Sequence, residues 1–469
     1  MSQATDRPGL ELDPDAAQRK ELSEAALQLL EHMLEGRDRA PMFVPTPPSQ
    51  IDQMLRAPQE QGVCVADALA RLQQAAQVGW SKLHGGDLAF IPSAGLYSGA
   101  IAALLASGLH VFTGSAFEAP ALIALEESVL RWFAGIMGLP RTAEGVLLSG
   151  GSLANQTAIA CARDSGRFDA ARGVAYVGER AHHSLRKAIH LCGVPAAGVR
   201  SIPALAGARI DTGALRNQIE HDRAAGLRPW LVVGVAGSTD TGSIDDLQAL
   251  SAIASDAGAW FHVDAAYGGM FMLTGRGAQR LRGIGAADSI TVDAHKGLLL
   301  PYGVAALLVR EPGALARAHS GAGAYMRDVP RSPGLPHYFE RGPELTRPFR
   351  GLLVWLPLQL HGVARFREAL DRSLDLAERA AGRLRSMAGI ELLQDPELSI
   401  TVFRATAGDA ATQRLLEAIN GSGQFRVSST TLEGRTAIRL AFLHARTGQA
   451  ELDRLLQIVA KAAGSPQTL

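Results

Sequence analysis

Between Pro92 and Ser320, short apolar runs alternate with longer Ala- and Leu-rich stretches. The runs at 145–148, 174–177, 229–236, 260–263 and 289–292 are mostly apolar on both alternate positions, and each gives way abruptly to Gly, Ser, Asp or His. An apolar run of this length predicts a strand buried on both faces, as in a parallel sheet between helices. The intervening stretches have the length and composition of crossover helices, so the pattern predicts an α/β fold with a large, doubly wound, mainly parallel sheet. Beyond Trp355 a helical stretch through Met387 leads to strands near 400–403 and 437–441 and a closing helix from Ala450, a smaller α+β region. Residues 21–34 have helical periodicity, and Pro41-Met-Phe-Val-Pro-Thr-Pro-Pro48 reads as a stiff extended linker. The expected division is an N-terminal arm and linker (1–81), a large domain (82–355) and a small C-terminal domain (356–469).

Composition narrows the function. At 469 residues and 47% hydrophobic, the chain supports a large core. Its 46 basic and 46 acidic residues cancel, so no general basic field favours nucleic acid and no cationic run marks an anionic membrane. The apolar stretch 96–111 is broken by Tyr, Ser and Gly and is too short for a membrane span. The start carries Glu11, Asp13 and Asp15 rather than a secretion signal. Cys64, Cys161 and Cys192 are too few and too irregular for a disulfide framework or a metal site. A soluble cytoplasmic protein with free thiols is expected.

Candidate chemistry sits where strands end. Asp264, in Phe261-His-Val-Asp-Ala-Ala-Tyr-Gly-Gly269, and Lys296, in Asp293-Ala-His-Lys-Gly-Leu-Leu-Leu-Pro-Tyr302, each follow a predicted strand directly. Alone, such a lysine is a solvated strand end and such an aspartate a turn or helix cap. Together, at the carboxyl ends of strands in an open α/β sheet, they point into one crevice. A lysine amine condenses with an aldehyde, and a carboxylate against a pyridine nitrogen keeps it protonated, so the pair suggests pyridoxal phosphate (PLP). A phosphate cradle is present in Gly145-Val-Leu-Leu-Ser-Gly-Gly-Ser-Leu-Ala-Asn155: strand, Gly-Gly turn, helix start at Ser152. Dinucleotide and nucleoside-triphosphate loops are not evident. Hydroxyls and acids crowd the exit of the 229–236 run, and Arg180-Ala-His-His-Ser-Leu-Arg-Lys187 offers an imidazole to stack on a flat ring.

In order and spacing these motifs resemble the group II PLP-dependent amino acid decarboxylases, which include aromatic amino acid and glutamate decarboxylases. The likeness runs from about Lys82 to about Leu456 and includes His84-Gly-Gly-Asp-Leu-Ala-Phe-Ile-Pro-Ser93, Arg347-Pro-Phe-Arg350 and Gly434-Arg-Thr-Ala-Ile-Arg-Leu-Ala441. The resemblance implies PLP-transferase fold type I, with Lys296 bound to the cofactor aldehyde and Asp264 at the pyridinium nitrogen. It implies Ala266 and His182 on the two ring faces, Thr239 near ring and substrate, Gly151, Ser152 and His295 around the phosphate, and Asp245 supporting the site from behind. Tyr325 falls where family decarboxylases carry a mobile-loop tyrosine that protonates the carbanion. The candidate catalytic set is therefore Lys296, Tyr325, His182 and Asp264.

The implied reaction is decarboxylation of an L-amino acid to an amine, with an aromatic substrate favoured. Phe90, Ile91 and Ser93 are the candidate substrate contacts. Leu153, Ser238 and Leu353 depart from the family's frequent Glu, Thr and Lys, and Gly114 and Ala116 stand where aromatic decarboxylases place bulky rings, which would leave space in the pocket. The rivals are transamination, aldol-type cleavage and oxidative decarboxylation on the same scaffold, or a non-catalytic PLP-binding protein. The family likeness and the amphipathic arm imply a homodimer.

Overall fold

The computed structural model describes residues 12–37, 40–57, 59–91, 94–205, 207–321, 330, 332 and 334–464. A helix at Ala16–Gly36 opens the chain. Asp15 caps it reciprocally: the Asp15 carboxylate accepts from Gln18 N–H and the Gln18 side chain accepts from Asp15 N–H, both at 2.9 Å. This helix buries none of its residues. The segment expected to be a plain linker is instead docked: Met42 is fully buried and its N–H donates to Gly423 O, while β1 (Phe43–Val44) pairs antiparallel with β2 (Gly79–Trp80). Proline spacing alone could not show that partner strand.

The central sheet contains β3 (Glu144–Leu148), β4 (Gly173–Gly178), β5 (Val199–Ile202), β6 (Arg228–Val235), β7 (Trp260–Asp264), β8 (Ser289–Val292) and β9 (Ala305–Val309), in the order β3-β9-β8-β7-β6-β4-β5. β9 is antiparallel to both neighbours and the other pairings are parallel. Helices such as Pro120–Ile136, Gly151–Ala162, His183–Leu191 and Leu247–Ala257 supply buried residues to the same core as the strands. Register then aligns the strand exits, because Val235 lies opposite Asp264 and Asp264 opposite Thr291. The loops leaving β6, β7 and β8 therefore start side by side.

The second sheet is antiparallel, with β10 (Ile390–Leu392), β11 (Ile400–Ala405), β12 (Ser428–Leu432) and β13 (Arg435–Ala441) in the order β10-β11-β13-β12. Its strands alternate as a two-faced sheet should. Val402, Ala437 and Ala441 join the core of the large sheet, while Phe403, Ile438 and Leu440 join a separate core with the closing helix Gln449–Ala462. The long helix Arg350–Arg385 spans both cores, with Leu374 in the first and Leu376 in the second, and it bends at Gly362, whose φ is +71°. Position 355 falls within this helix.

Candidate active site

A cleft of ≈ 560 Å³ opens at the carboxyl edge of the central sheet. β3 ends in the turn Ser149-Gly150, and the helix Gly151–Ala162 begins in the cleft with no side chain capping it. Gly151 is closely packed: a Cβ there would lie 3.0 Å from both carboxylate oxygens of Asp293 and 3.2 Å from Ala266 Cβ. Main chain can approach an anion closely where helix-start N–H groups and the helix dipole favour negative charge.

β7 delivers Asp264, which is 6% exposed. Its Oδ2 accepts from Asn155 Nδ2 at 3.0 Å and its Oδ1 from Ala266 N–H at 3.1 Å. β8 runs through Asp293 into the short helix Ala294–Gly297, and Lys296 Nζ lies 2.9 Å from Asp293 Oδ2. His295 bonds Val304 O through Nδ1 at 2.9 Å, and a carbonyl only accepts, so Nδ1 carries the hydrogen. Burial holds the His295 pKa below its ordinary value. The turn after Lys296 contains Leu299 at φ +54°, a left-handed conformation that L side chains rarely adopt. Strain of this kind is concentrated at functional sites.

From the exit of β4, His182 caps the helix His183–Leu191, its Nδ1 2.8 Å from Ser184 Oγ. Burial lowers its pKa, opposed by the charge of Asp264. The ring of His183 is exposed and tilted 42° against it at 4.2 Å. Thr239 reaches the cleft from the loop after β6. Asp245 lies behind that loop and accepts from Ile210 N–H and Val235 N–H, both at 2.8 Å, tying down the end of β6; burial pushes its pKa up to about 6. Gly151, Ser152, His182, Thr239, Asp264, Ala266, His295 and Lys296 all line one cleft.

Two of the expected substrate contacts lie outside the walls of this cleft. Phe90 is 46% exposed, its ring between Lys82 Nζ at 5.2 Å and the Arg426 guanidinium at 4.8 Å, and Ile91 is 4% exposed in the main core; neither is among the cleft walls. The space expected beside Gly114 is filled by the Phe112 ring, whose Cζ would lie 2.4 Å from a Cβ at that position, and Ala116 is fully buried. Local packing, invisible to motif spacing, closes that gap. Ser93 and Tyr325 lie outside the described residues. Tyr338, the later tyrosine of the same irregular segment, is buried, and its hydroxyl donates to Glu127 Oε2 at 3.1 Å.

Sequence reasoning assigned no role to Asn155, Ser184, His262, Ser289 or Asp293. Asn155 and His262 sit inside apolar elements, and a buried polar side chain there demands partners, which was the available signal. An amine, a buried carboxylate and a glycine-lined helix start converging in one cleft match the aldehyde, ring nitrogen and phosphate of PLP, and the helix start at Gly151, uncapped by any side chain, is the observation that fits the phosphate.

Comparison with known proteins identifies the class. Residues 87–406 match the pyridoxal-dependent decarboxylase conserved domain. An aromatic-L-amino-acid decarboxylase of Bacillus atrophaeus is 33% identical over 388 residues, covering 81% of this chain and 80% of that protein. A phenylacetaldehyde synthase of Petunia hybrida is 28% identical over 402 residues, covering 79% of each. Among solved structures, an Oryza sativa TDC with PLP and tryptamine superposes with a TM-score of 0.91 at 22% identity, over 97% of this chain and 99% of that one, which shows the shared fold. The chain belongs to the pyridoxal-dependent decarboxylase family. It is a PLP-dependent amino acid decarboxylase, a carboxy-lyase of fold type I.

Proposed function

We propose that the protein converts an aromatic L-amino acid to its amine and carbon dioxide, with Lys296, Asp264, His182 and Tyr325 as catalytic residues. The carrying observation is the strand register that sets the exits of β7 and β8 side by side, with Asp264 on one and Lys296 on the other. The aromatic preference is supported by the Bacillus atrophaeus relative.

Bound PLP supplies an electron sink for the electron pair left when the carboxylate departs. Lys296 Nζ, held by Asp293, is the amine that would hold the cofactor aldehyde. Asp264 Oδ2, fixed by Asn155, keeps the proton on the ring nitrogen. His182 and Ala266, which both line the cleft, would bound the two faces of the ring. Gly151, Ser152 and His295 receive the phosphate, and Thr239 borders the substrate side. The Tyr325 hydroxyl delivers the proton to the alpha carbon.

The working unit in this reading is a cytoplasmic homodimer, with an arm (1–81), a large domain (82–355) and a small domain (356–469). Exposed apolar side chains support a subunit interface: Leu104, Leu105 and Leu109 on one helix, Phe117, and Tyr302 at 58% exposure on the cleft wall. Free cysteines at 64, 161 and 192 suit a reducing compartment.

Oxidative decarboxylation is a second reading, in line with the aldehyde for which the phenylacetaldehyde synthase relative is named. A panel of amino acids assayed for carbon dioxide, amine and carbonyl product separates the two. We expect aromatic substrates to give amine and carbon dioxide in equal amounts. Carbonyl product from wild type would favour the oxidative reading. Tyr325→Phe should raise the carbonyl-to-amine ratio; an unchanged ratio and rate would reject the proton-donor role.

A further inference from the structure

Beneath the cleft a chain of hydrogen bonds leads from the core to Asp264 and His182. Trp260 Nε1 bonds Ser289 Oγ at 2.8 Å, Ser289 Oγ bonds His262 Nδ1 at 2.9 Å, and His262 Nε2 bonds Asn155 Oδ1 at 3.1 Å. Asn155 Nδ2 then reaches both Asp264 Oδ2 at 3.0 Å and Ser184 Oγ at 3.1 Å. Ser184 Oγ meets His182 Nδ1 at 2.8 Å.

Donor and acceptor chemistry gives this chain one proton order. A carboxylate only accepts, so the amide nitrogen of Asn155 faces Asp264 and its oxygen faces His262. His262 Nε2 must therefore carry a hydrogen. Trp260 N–H only donates, so Ser289 receives that hydrogen and passes its own to His262 Nδ1. On the other branch Ser184 receives the second amide hydrogen of Asn155, which leaves its hydroxyl hydrogen for His182 Nδ1. The Ser184 N–H also points at that nitrogen, at 3.3 Å. His262 is fully buried, and burial holds its pKa down to about 4, so at neutral pH it has the single hydrogen this order needs.

We propose that Asn155 is a positioning residue for PLP: it aims the Asp264 carboxylate at the ring nitrogen, and His262 holds Asn155 in the one amide orientation that can do so. The inference rests on the reading of Asp264 as the ring-nitrogen partner. Asn155 touches no reacting atom; it acts through Asp264. The same amide joins Asp264 to His182, so the nitrogen partner and the ring-face imidazole share one support.

A double-mutant cycle on PLP affinity of the full-length apoenzyme tests this, with PLP itself as the titrant. A hydrogen bond to a buried charge commonly contributes enough for Asn155→Ala to weaken binding about tenfold or more. In an Asp264→Asn background, where there is no carboxylate to aim, the same change should weaken it less than about twofold. A purely structural role predicts the same loss in both backgrounds and would overturn the proposal. Asn155→Ser, too short to span Asp264 and His262, replaces the alanine variant in the cycle if that variant does not fold. His262→Gln keeps an N–H donor for Asn155 and should retain affinity within about threefold, whereas His262→Leu should behave like Asn155→Ala; equal affinities for these two would also overturn it. If Asp264→Asn alone leaves PLP affinity and the visible absorption of the bound cofactor unchanged, the assignment of Asp264 fails, a result distinct from failure of Asn155.

Discussion

The two sheets contribute to the cleft in different ways. The central sheet presents strand ends: Asp264, Asp293 and the turn before Gly151 are the places where buried strands run out of apolar sequence. The four-stranded sheet presents a face. Within β13, Arg439 lies on the same side as Ala437 and Ala441, which face the large core, and its guanidinium reaches Thr239 O at 2.7 Å, Asp240 O at 3.3 Å and Ala89 O at 2.8 Å. It is 5% exposed, and burial lowers its pKa from the ordinary guanidinium value. Strand ends thus supply reactive groups, whereas a strand face supplies a brace.

The largest expected effect breaks the first half of that contrast. Lys296→Ala should reduce turnover by roughly a thousandfold or more, since a covalent anchor has no substitute. Its melting temperature without PLP should fall below that of the wild-type apoenzyme, because the mostly buried Lys296 ammonium lies 2.9 Å from the buried Asp293 carboxylate and its loss leaves that charge unpaired. Borohydride reduction and peptide mapping of the wild-type holoenzyme should label Lys296. Label on another lysine would remove Lys296 from its proposed role.

A smaller effect tests the brace. Arg439→Ala takes the guanidinium from the carbonyls of Thr239 and Asp240, while Ala89 O keeps the Ser428 hydroxyl, and should cost about 3 kcal/mol of stability, read by denaturant unfolding. Activity at a temperature where the variant is folded should fall far less than in Lys296→Ala. A turnover loss as deep as that of the lysine variant would mean that the small sheet supplies chemistry.

The smallest effect is shared by both regions. His262 lies in β7 of the central sheet; His444 follows β13, its Nε2 donating to Lys82 O at 3.3 Å and its Nδ1 accepting from Arg446 N–H at 3.1 Å. Burial holds both down to about 4. Because the folded pKa lies below the unfolded one, the unfolded chain takes up the proton first as pH falls. Stability from each neutral histidine is present near pH 7 and lost as pH falls through the unfolded value of about 6.5 towards 4, at roughly 2 kcal/mol per histidine by pH 5. Unfolding of wild type, His262→Gln and His444→Gln at the two pH values checks this, each variant losing one share of the slope. An unchanged slope in His444→Gln would remove that histidine from the acid response.

The same contrast explains what the sequence disclosed. Parallel strands buried on both faces are legible as apolar runs, and their sharp polar ends marked Asp264, Lys296 and the Gly150-Gly151 turn before any fold was known. β9 escaped notice because Ala-Ala-Leu-Leu-Val carries no sign of its direction, and its antiparallel insertion between β3 and β8 is a matter of tertiary pairing. Arg439 stood in a quoted motif, but which face of β13 it occupies depends on register. Asn155 and His262 were visible as polar residues in apolar surroundings; only the fold brings them within hydrogen-bond distance of each other. A motif records neighbours in sequence, whereas the surroundings of Phe90 and Gly114 come from Arg426 and the turned-back ring of Phe112.

The guanidinium of Arg439 joins three lengths of chain that are far apart in sequence: the 88–91 segment, the 239–240 loop and β13. One guanidinium thus ties the four-stranded sheet to Thr239 at the wall of the cleft. Any shift of β13 must carry Thr239 with it or break the bond between Arg439 and the Thr239 carbonyl.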